Sequence, residues 1–252
     1  GCTYCGYSTA SPHQRKTLDY NEIQAELVAL KDAGFDSVLL LTGGSRRHAP
    51  VSYIAEASRM AASRFSEVVL EVYALTVDEY RTVCEAGASG LTLYQETYDR
   101  DLYRRVHPHG EKRNYDFRLQ APERAIAAGL KHVSIGPLLG LGPAVHDMFM
   151  AGVHGDYLQR KFPDVELTLS FPRMRRVATM MAPGDEVNDV RLVRFILATR
   201  LFLHRAGISI STRESAYMRD HLVGLGATRM SAGSRTTVGG YAETCERPGQ
   251  FD

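Results

Sequence analysis

Short apolar runs alternate with longer segments of mixed apolar and polar residues along most of the chain. Six short runs have the leucine- and valine-rich composition of buried strands and a seventh is weaker; they lie at 37–41, 68–72, 90–94, 132–136, 166–170, 208–211 and 229–233. The segments between them repeat apolar residues at helical spacing, as Ile23, Leu27 and Leu30 do. This alternation predicts a parallel sheet with right-handed helical crossovers.

Several predicted helices carry recognisable capping residues. Asp19 precedes Glu22 by three positions and Thr76 precedes Glu79 by three, which is the spacing of a capping box. Four helical segments end in an Ala-Gly pair shortly before a strand, which predicts a glycine in the left-handed conformation at each helix end. These pairs are Ala33–Gly34, Ala86–Gly87, Ala128–Gly129 and Ala206–Gly207.

Seven strands and a length of 252 residues predict an α/β fold, a (β/α)8 TIM-type barrel. The chain starts inside a motif at Gly1, so we expect a truncated barrel whose first strand is missing. Residues 1–252 are expected to form one barrel domain, with an N-terminal segment and a C-terminal tail absent. An open, doubly wound sheet is the alternative, because the number of strands alone does not close a barrel.

Charge and composition exclude several classes of partner. The 30 basic and 29 acidic residues are interspersed and give a formal net charge of +1, so the sequence predicts no nucleic-acid and no membrane partner. No apolar run reaches the ~18 residues of a membrane span. Four cysteines are too few for a disulfide framework, and free thiols are typical of a reducing compartment, so we expect a cytoplasmic protein.

Polar and glycine-rich stretches follow six of the predicted strands. They read TGGS, YQETY, GPLLGLG, SFPRMRR, STRES and SAGSRT. Barrel enzymes build their active sites on the rim formed by the C-terminal ends of the strands. We therefore expect the functional site at this rim.

Cys2 and Cys5 form a C-x-x-C pair at the start of the chain. Such pairs occur in redox couples, zinc sites and iron–sulfur sites. A thioredoxin-like couple needs a small domain and a helix that opens at the motif, and a zinc site needs a second ligand pair, whereas Cys84 and Cys245 stand alone. An iron–sulfur site at the mouth of a barrel fits the pair better.

The stretch C-T-Y-C-G-Y resembles the end of the C-x-x-x-C-x-aromatic-C motif of radical S-adenosylmethionine (radical SAM) enzymes, whose first cysteine would precede Gly1. The chain also resembles the aromatic amino acid lyases of that group, in particular the 2-iminoacetate synthases of thiamine biosynthesis. The matching stretches are RKTLD (15–19), LLLTGG (39–44), YQETY (94–98), RLQAPERA (118–125), SFPRMR (170–175), STRES (211–215) and SAGSRTTVGGY (231–241).

The resemblance implies a 4Fe-4S cluster with one iron left open for S-adenosyl-L-methionine, which is cleaved to a 5′-deoxyadenosyl radical. The implied reaction breaks the Cα–Cβ bond of L-tyrosine and yields 2-iminoacetate and p-cresol for thiazole synthesis. The implied partners are reduced flavodoxin or ferredoxin as the electron donor, and thiazole synthase.

The resemblance also implies roles for individual residues. Cys2 and Cys5 would bind the cluster, with Tyr4 beside the adenine of the cofactor. The remaining cofactor contacts would come from Thr42, Gly43 and Gly44 at the methionine end, and from Gln95, Glu96 and Arg118 around the ribose and carboxylate. The glutamate that the family usually carries in the first of these segments is missing here.

For the substrate, the resemblance implies that Arg213 holds the carboxylate, with Ser211 and Ser231 in the same pocket. A guanidinium group can grip a carboxylate through two parallel hydrogen bonds. The alternative for Arg213 is a structural ion pair with Glu214 or Asp220. The basic turn at 172–176 makes Arg173 a secondary candidate for binding an anion.

Three other functions are alternatives: the tyrosine lyase of hydrogenase H-cluster maturation, which carries a second cluster on C-terminal cysteines; a tryptophan lyase; and a non-catalytic barrel with a structural metal.

Other conspicuous residues are expected to be structural. We expect His107 and His109 on a surface loop and Cys84 to be a small buried apolar residue. The apolar helix at 191–204 is expected to pack in the core or against another subunit.

Overall fold

The computed structural model describes residues 1–8, 15–174, 184–235 and 237–242. In this part of the chain strands and helices alternate as predicted. The strands are β1 (Ser37–Leu41), β2 (Glu67–Glu71), β3 (Gly90–Thr92), β4 (His132–Ile135), β5 (Glu166–Ser170), β6 (Gly207–Ile210) and β7 (Arg229–Met230). The helices are α1 (Tyr20–Asp32), α2 (Val51–Ala62), α3 (Val77–Glu85), α4 (Arg100–Val106), α5 (Tyr115–Leu119), α6 (Ala121–Ala127), α7 (Ala144–Lys161), α8 (Asp189–Phe202) and α9 (Ala216–Gly224), with a short 3₁₀ helix at Glu111–Arg113.

The described strands form one seven-stranded parallel sheet whose spatial order is the order of the chain. A doubly wound sheet would reverse its strand order at a switch point, so that alternative is wrong. Arg229 of β7 lies 3.2 Å from Glu67 of β2 and 2.8 Å from Glu166 of β5. This contact across the inner face shows that the sheet is rolled, as a barrel requires.

The two faces of the sheet differ in polarity. Outward side chains are apolar and pack against the helices in the main core; they include Leu70, Leu91, Val133, Leu167 and Ile208. Because side chains alternate along a strand, their neighbours point inward, and most of these are polar or small: Glu67, Glu71, Gly90, Thr92, His132, Ser134, Glu166, Thr168, Ser170, Gly207 and Ser209. Barrel interiors are usually filled by bulky aliphatic residues. A polar interior instead suits a ligand site.

Strand β1 is an edge of the described sheet and pairs there only with β2. Its Leu39 and Leu41 are 46% and 62% exposed, unlike the apolar residues of the central strands. A further strand would pair at this edge. The predicted first strand lies before Gly1 and stays a prediction.

The predicted helix ends are confirmed except at one position. Both capping boxes form, at Asp19 and at Thr76. Gly34, Gly87 and Gly129 adopt positive φ angles of 88°, 103° and 110°. Gly207 does not cap a helix, because α8 ends at Phe202 and Gly207 begins β6.

Packing inside the barrel explains the glycine at position 207. A Cβ atom on Gly207 would lie 2.9 Å from Oγ1 of Thr168 on the neighbouring strand.

Among the described helices, none combines the length and the apolar composition needed to cross a bilayer.

Candidate active site at the barrel mouth

The loop that carries Cys2 and Cys5 is fixed on α4. The backbone nitrogen of Thr3 donates to the carbonyl oxygen of Val106, at 3.0 Å. The ring of Tyr4 is buried among Val106, Leu138 and Leu141. The loop is therefore anchored at the top of the barrel, beside the segment that follows β4.

His107 completes this anchor and lies in the interior, so the expected surface position is wrong. Its Nδ1 atom donates to the carbonyl oxygen of Tyr103, and its Nε2 atom accepts from the hydroxyl of Tyr4, both at 2.9 Å. The imidazole is 0% exposed, and burial lowers the pKa of His107 to about 4. A neutral imidazole thus orients the aromatic residue of the C-x-aromatic-C motif.

Cys2 and Cys5 are both partly exposed, and neither forms a disulfide bond with another described residue. Burial raises the pKa of the Cys2 thiol, and the charge of Lys112 opposes that rise. The Nζ atom of Lys112 lies 5.9 Å from the centre of the Tyr4 ring. A cation at this place favours the thiolate form that an iron–sulfur cluster needs.

No group of three or more His, Cys, Asp and Glu side chains in the described part of the chain could hold a metal ion by itself. That Cys2 and Cys5 supply two thiolates to a cluster stays a prediction. The third cysteine, expected before Gly1, stays a prediction. Cys245, Arg175 and Arg176 lie outside the described residues.

Glu96, Lys112 and Arg118 form a charged group below this loop. Lys112 donates to the Glu96 carboxylate, and Nη2 of Arg118 lies 3.6 Å from the same oxygen. Burial alone would raise the pKa of Glu96, but Lys112 and Arg118 outweigh it and lower the pKa to about 2. Nε of Arg118 also donates to the carbonyl oxygen of Tyr94, at 2.7 Å.

The backbone of Glu96 is in the left-handed region, with φ of 75°. Hydrogen bonds on either side hold it there: Gln95 N to the oxygen of Gly136 at 2.9 Å, and Leu138 N to the oxygen of Glu96 at 2.8 Å. Such strain costs about 1–3 kcal/mol and is concentrated at functional sites. The backbone of the segment after β3 therefore fixes the direction of the Glu96 side chain.

Two buried polar atoms near the rim have no hydrogen-bond partner among the described residues: Oγ1 of Thr42 and Nε2 of Gln95. Cβ atoms built on Gly43 and Gly44 would meet no atom within 4 Å. Unpaired polar atoms and open space beside glycine backbone fit the binding of a polar ligand. The residues at this rim thus fit the predicted cofactor, and their individual roles stay predictions.

The turn after β6 presents Arg213, which is half-buried. Its backbone nitrogen donates to Oγ of Ser211, at 3.2 Å. Ser231 adjoins this turn, because its backbone nitrogen donates to the oxygen of Ile210, also at 3.2 Å. The structure thus brings Ser211, Arg213 and Ser231 together at the ends of β6 and β7.

Arg173 is committed to structural contacts. Its Nε lies 2.9 Å from Oε1 of Glu214, and its Nη1 lies 2.8 Å from Oδ1 of Asp189 and 3.0 Å from the oxygen of Val187. The buried carboxylate of Glu214 is thus held by Arg173. The secondary role of Arg173 as an anion site is therefore not supported by its geometry.

Sequence reasoning missed Glu71 and Tyr94, which also face the barrel mouth. Burial raises the pKa of both residues, and the charge of Arg213 opposes the rise in each. The hydroxyl of Tyr94 bonds to the side chain of Ser170. A signal was available for Glu71, because it is the one charged residue in the apolar run at 68–72.

Comparisons of sequence identify relatives of the chain. Residues 1–149 match the Radical SAM superfamily, and residues 170–249 match the Biotin and Thiamin Synthesis associated domain. The chain is 34% identical over 251 residues to the 2-iminoacetate synthases of Salmonella typhimurium and Escherichia coli, covering 99% of this chain and 67% of each relative. A biotin synthase of Francisella tularensis is 24% identical, over 83% of this chain and 67% of its own.

Solved structures share the fold. The FeFe-hydrogenase maturase HydG of Carboxydothermus hydrogenoformans superposes with a TM-score of 0.91 at 32% identity, over 99% of this chain and 58% of HydG. Another HydG structure gives a TM-score of 0.92 at 30% identity, over 100% of this chain and 56% of that one. Methylornithine synthase, with a TM-score of 0.75 at 21% identity over 91% and 66% of the two chains, shows the fold alone. The chain thus spans less than three fifths of the HydG chains.

These matches confirm the predicted fold class, enzyme class and cofactors. Radical SAM enzymes use a 4Fe-4S cluster and S-adenosyl-L-methionine, for which the rim described above provides thiols, orphaned polar atoms and charged groups. The chain belongs to the radical SAM superfamily and, within it, to the 2-iminoacetate synthase family.

Proposed function

We propose that this chain is the barrel domain, residues 1–252, of a radical SAM lyase that cleaves the Cα–Cβ bond of L-tyrosine to 2-iminoacetate and p-cresol. The observation that carries the proposal is the place of Arg213. This cation is half-buried at the mouth of a polar barrel, where its charge acts on Glu71 and Tyr94 inside. The identity to 2-iminoacetate synthases supports the same reaction and its use in thiazole synthesis.

Each group at the mouth has a part in this proposal. When bound, the cluster and S-adenosyl-L-methionine supply the radical that removes a hydrogen atom from the substrate amine. Arg213 binds the substrate carboxylate, and Ser211 and Ser231 flank it. Thr42, Gly43, Gly44, Gln95, Glu96 and Arg118 hold the cofactor, with Tyr4 against its adenine.

The main contribution of the chain to catalysis is to position the substrate relative to the cofactor. Reacting atoms must lie within roughly 3 to 3.5 Å for an efficient transfer. Substrate and cofactor are held by groups around the mouth of one sheet, so their separation is fixed by the fold. Reduced flavodoxin or ferredoxin is the proposed electron donor, and thiazole synthase is the proposed partner that receives 2-iminoacetate.

The test is an anaerobic assay of the reconstituted holoenzyme with reductant, S-adenosyl-L-methionine and L-tyrosine. We expect p-cresol and 5′-deoxyadenosine in equal amounts. L-tryptophan in place of L-tyrosine should give no fragmentation. The absence of both products would overturn the proposal, and zinc in place of iron and sulfide in anaerobically purified protein would favour a structural metal.

A second candidate, the hydrogenase-maturation tyrosine lyase, is favoured by the superposition on HydG. The two enzymes share the first cleavage, so p-cresol alone does not separate them. The iron content of the holoenzyme does: one 4Fe-4S cluster per chain supports the thiazole enzyme, and two clusters support the hydrogenase maturase.

A further inference from the structure

Glu71 ends β2 on the inner face of the barrel, next to the predicted cofactor segment. The backbone nitrogen of Thr42 donates to the carbonyl oxygen of Glu71, at 3.2 Å. The Glu71 side chain shares its face with Glu67, four residues earlier, because side chains alternate along a strand. Glu71 therefore points into the mouth from the strand beside β1.

The charges around Glu71 are those of the site already described. Lys112, Arg118 and Arg213 act on its carboxyl as cations, and Glu96 acts as an anion. Lys112 and Arg118 are both engaged by Glu96. Arg213 is the cation that the proposed function assigns to the substrate.

The carboxylate of Glu71 accepts no hydrogen bond from any residue in the described ranges, whereas Glu67 accepts from Arg229 at 3.2 and 3.3 Å. Glu71 is half-buried, and burial raises the pKa of its carboxyl above the usual value. A partly desolvated carboxylate without donors is unfavourable, and a ligand that brings N–H groups offsets that loss of solvation.

An α-amino acid carries the complementary pair of groups: an ammonium donor and a carboxylate acceptor on the same carbon. A site that binds both the ammonium and the carboxylate group needs an anionic and a cationic side chain close together. Glu71 and Arg213 are close enough for the charge of one to shift the pKa of the other. They come from β2 and from the end of β6, which lie four positions apart in the rolled sheet, so the two residues border the mouth from different sides.

We propose that Glu71 accepts hydrogen bonds from the α-ammonium group of the substrate while Arg213 binds its carboxylate, so that the two residues together select an amino acid. This inference rests on the proposed function. It makes Glu71 a substrate-binding residue that orients the nitrogen from which the hydrogen atom is removed.

The test compares two ligands that differ only in the amine: L-tyrosine and 3-(4-hydroxyphenyl)propanoate. Their dissociation constants are measured by anaerobic calorimetry on the reconstituted holoenzyme without reductant, so that no turnover occurs. Glu71→Gln should weaken L-tyrosine binding about tenfold to a hundredfold, the effect of losing a hydrogen bond to a charged group. Binding of the propanoate should change less than about threefold, by the same reasoning.

Two further variants serve as controls. Glu67→Gln removes a carboxylate from the same face of the same strand and should change neither dissociation constant. Glu71→Asp keeps the charge on a shorter side chain and should recover part of the affinity that Glu71→Gln loses. Affinity for S-adenosyl-L-methionine should be unchanged in all three variants.

The other possible results overturn either the role of Glu71 or the proposed function. An equal loss for both ligands, or no loss for L-tyrosine, would overturn the role of Glu71, as would a loss confined to S-adenosyl-L-methionine. These results leave p-cresol formation by the unaltered enzyme in place. A wild-type enzyme that neither binds nor cleaves L-tyrosine would instead overturn the proposed function, and the inference with it.

Discussion

Two carboxylates on one strand, Glu67 and Glu71, have opposite surroundings. Glu67 lies at the bottom of the barrel, where it is paired with Arg229, which also reaches Glu166. Glu71 lies at the mouth, where no described residue donates to it and burial raises its pKa. The same residue type on the same face is satisfied by the protein at one end and left for a ligand at the other.

The histidines follow a related division. His132, at the bottom, is bound through Nε2 to Oγ1 of Thr168 at 3.0 Å and ties two strands together. His107, at the top, orients Tyr4 in the loop that carries Cys2 and Cys5. Polar groups at the bottom thus connect the strands of the sheet, whereas those at the mouth orient the cysteine loop and, as we propose, bind ligands. Substitutions at the two ends should therefore affect different measurements.

The largest effect is expected for a cysteine at the mouth. Cys5→Ser should lower the iron content of the reconstituted protein and abolish p-cresol formation, because a cluster ligand is lost. Thermal unfolding of the apoprotein should be nearly unchanged. Cys84→Ser is the control, since Cys84 packs against the core at the end of α3 and should keep full iron content. Equal iron content in both variants would contradict the assignment.

Arg213→Lys should raise the dissociation constant for L-tyrosine by roughly tenfold to a hundredfold, because a lysine cannot form two parallel hydrogen bonds with a carboxylate. Uncoupled cleavage of S-adenosyl-L-methionine should continue. The matched control is Arg229→Lys at the bottom, which should leave tyrosine affinity as it is. Calorimetry and 5′-deoxyadenosine release measure the two effects, and an unchanged affinity in Arg213→Lys would remove the assignment.

Arg229→Gln should lower the stability of the fold and leave the affinity for L-tyrosine unchanged. It leaves Glu67 and Glu166 without their shared partner, and because both pairs are partly exposed we expect the free energy of unfolding to fall by only about 2 kcal/mol. Urea denaturation measures this loss. A change in tyrosine affinity without a loss of stability would break the division between the two ends.

The smallest effect is a pH dependence from His107. The pKa of His107 is about 4 in the folded protein, below its usual value of 6.5, so between these values the unfolded chain binds the additional proton. The free energy of unfolding should therefore fall by about 1–2 kcal/mol as the pH drops from 7 to 5. In His107→Gln the same pH change should cost less. Identical pH profiles for the two proteins would contradict a neutral, buried His107.

The sequence predicted the strands, the two capping boxes and three glycine caps because these features depend on residues close together in the chain. It also predicted the family, since the motif stretches are local. The tertiary structure corrected the fourth glycine: Gly207 is required by Thr168 of a neighbouring strand, and no helix ends there. It likewise moved His107 from a surface loop to the interior.

The alternation of apolar and polar residues by itself determined that this protein has a parallel α/β sheet, and the cysteine motif determined which chemistry to look for. Which charged side chains contact one another was decided only by the rolling of the sheet. Glu214 is bound by Arg173, 41 positions away, and Glu71 faces the charge of Arg213 from a strand at the other side of the mouth. The reason is physical: a hydrogen-bonded strand is specified by its own side chains, whereas the partner of a charged group depends on how the closing barrel brings distant strand ends together.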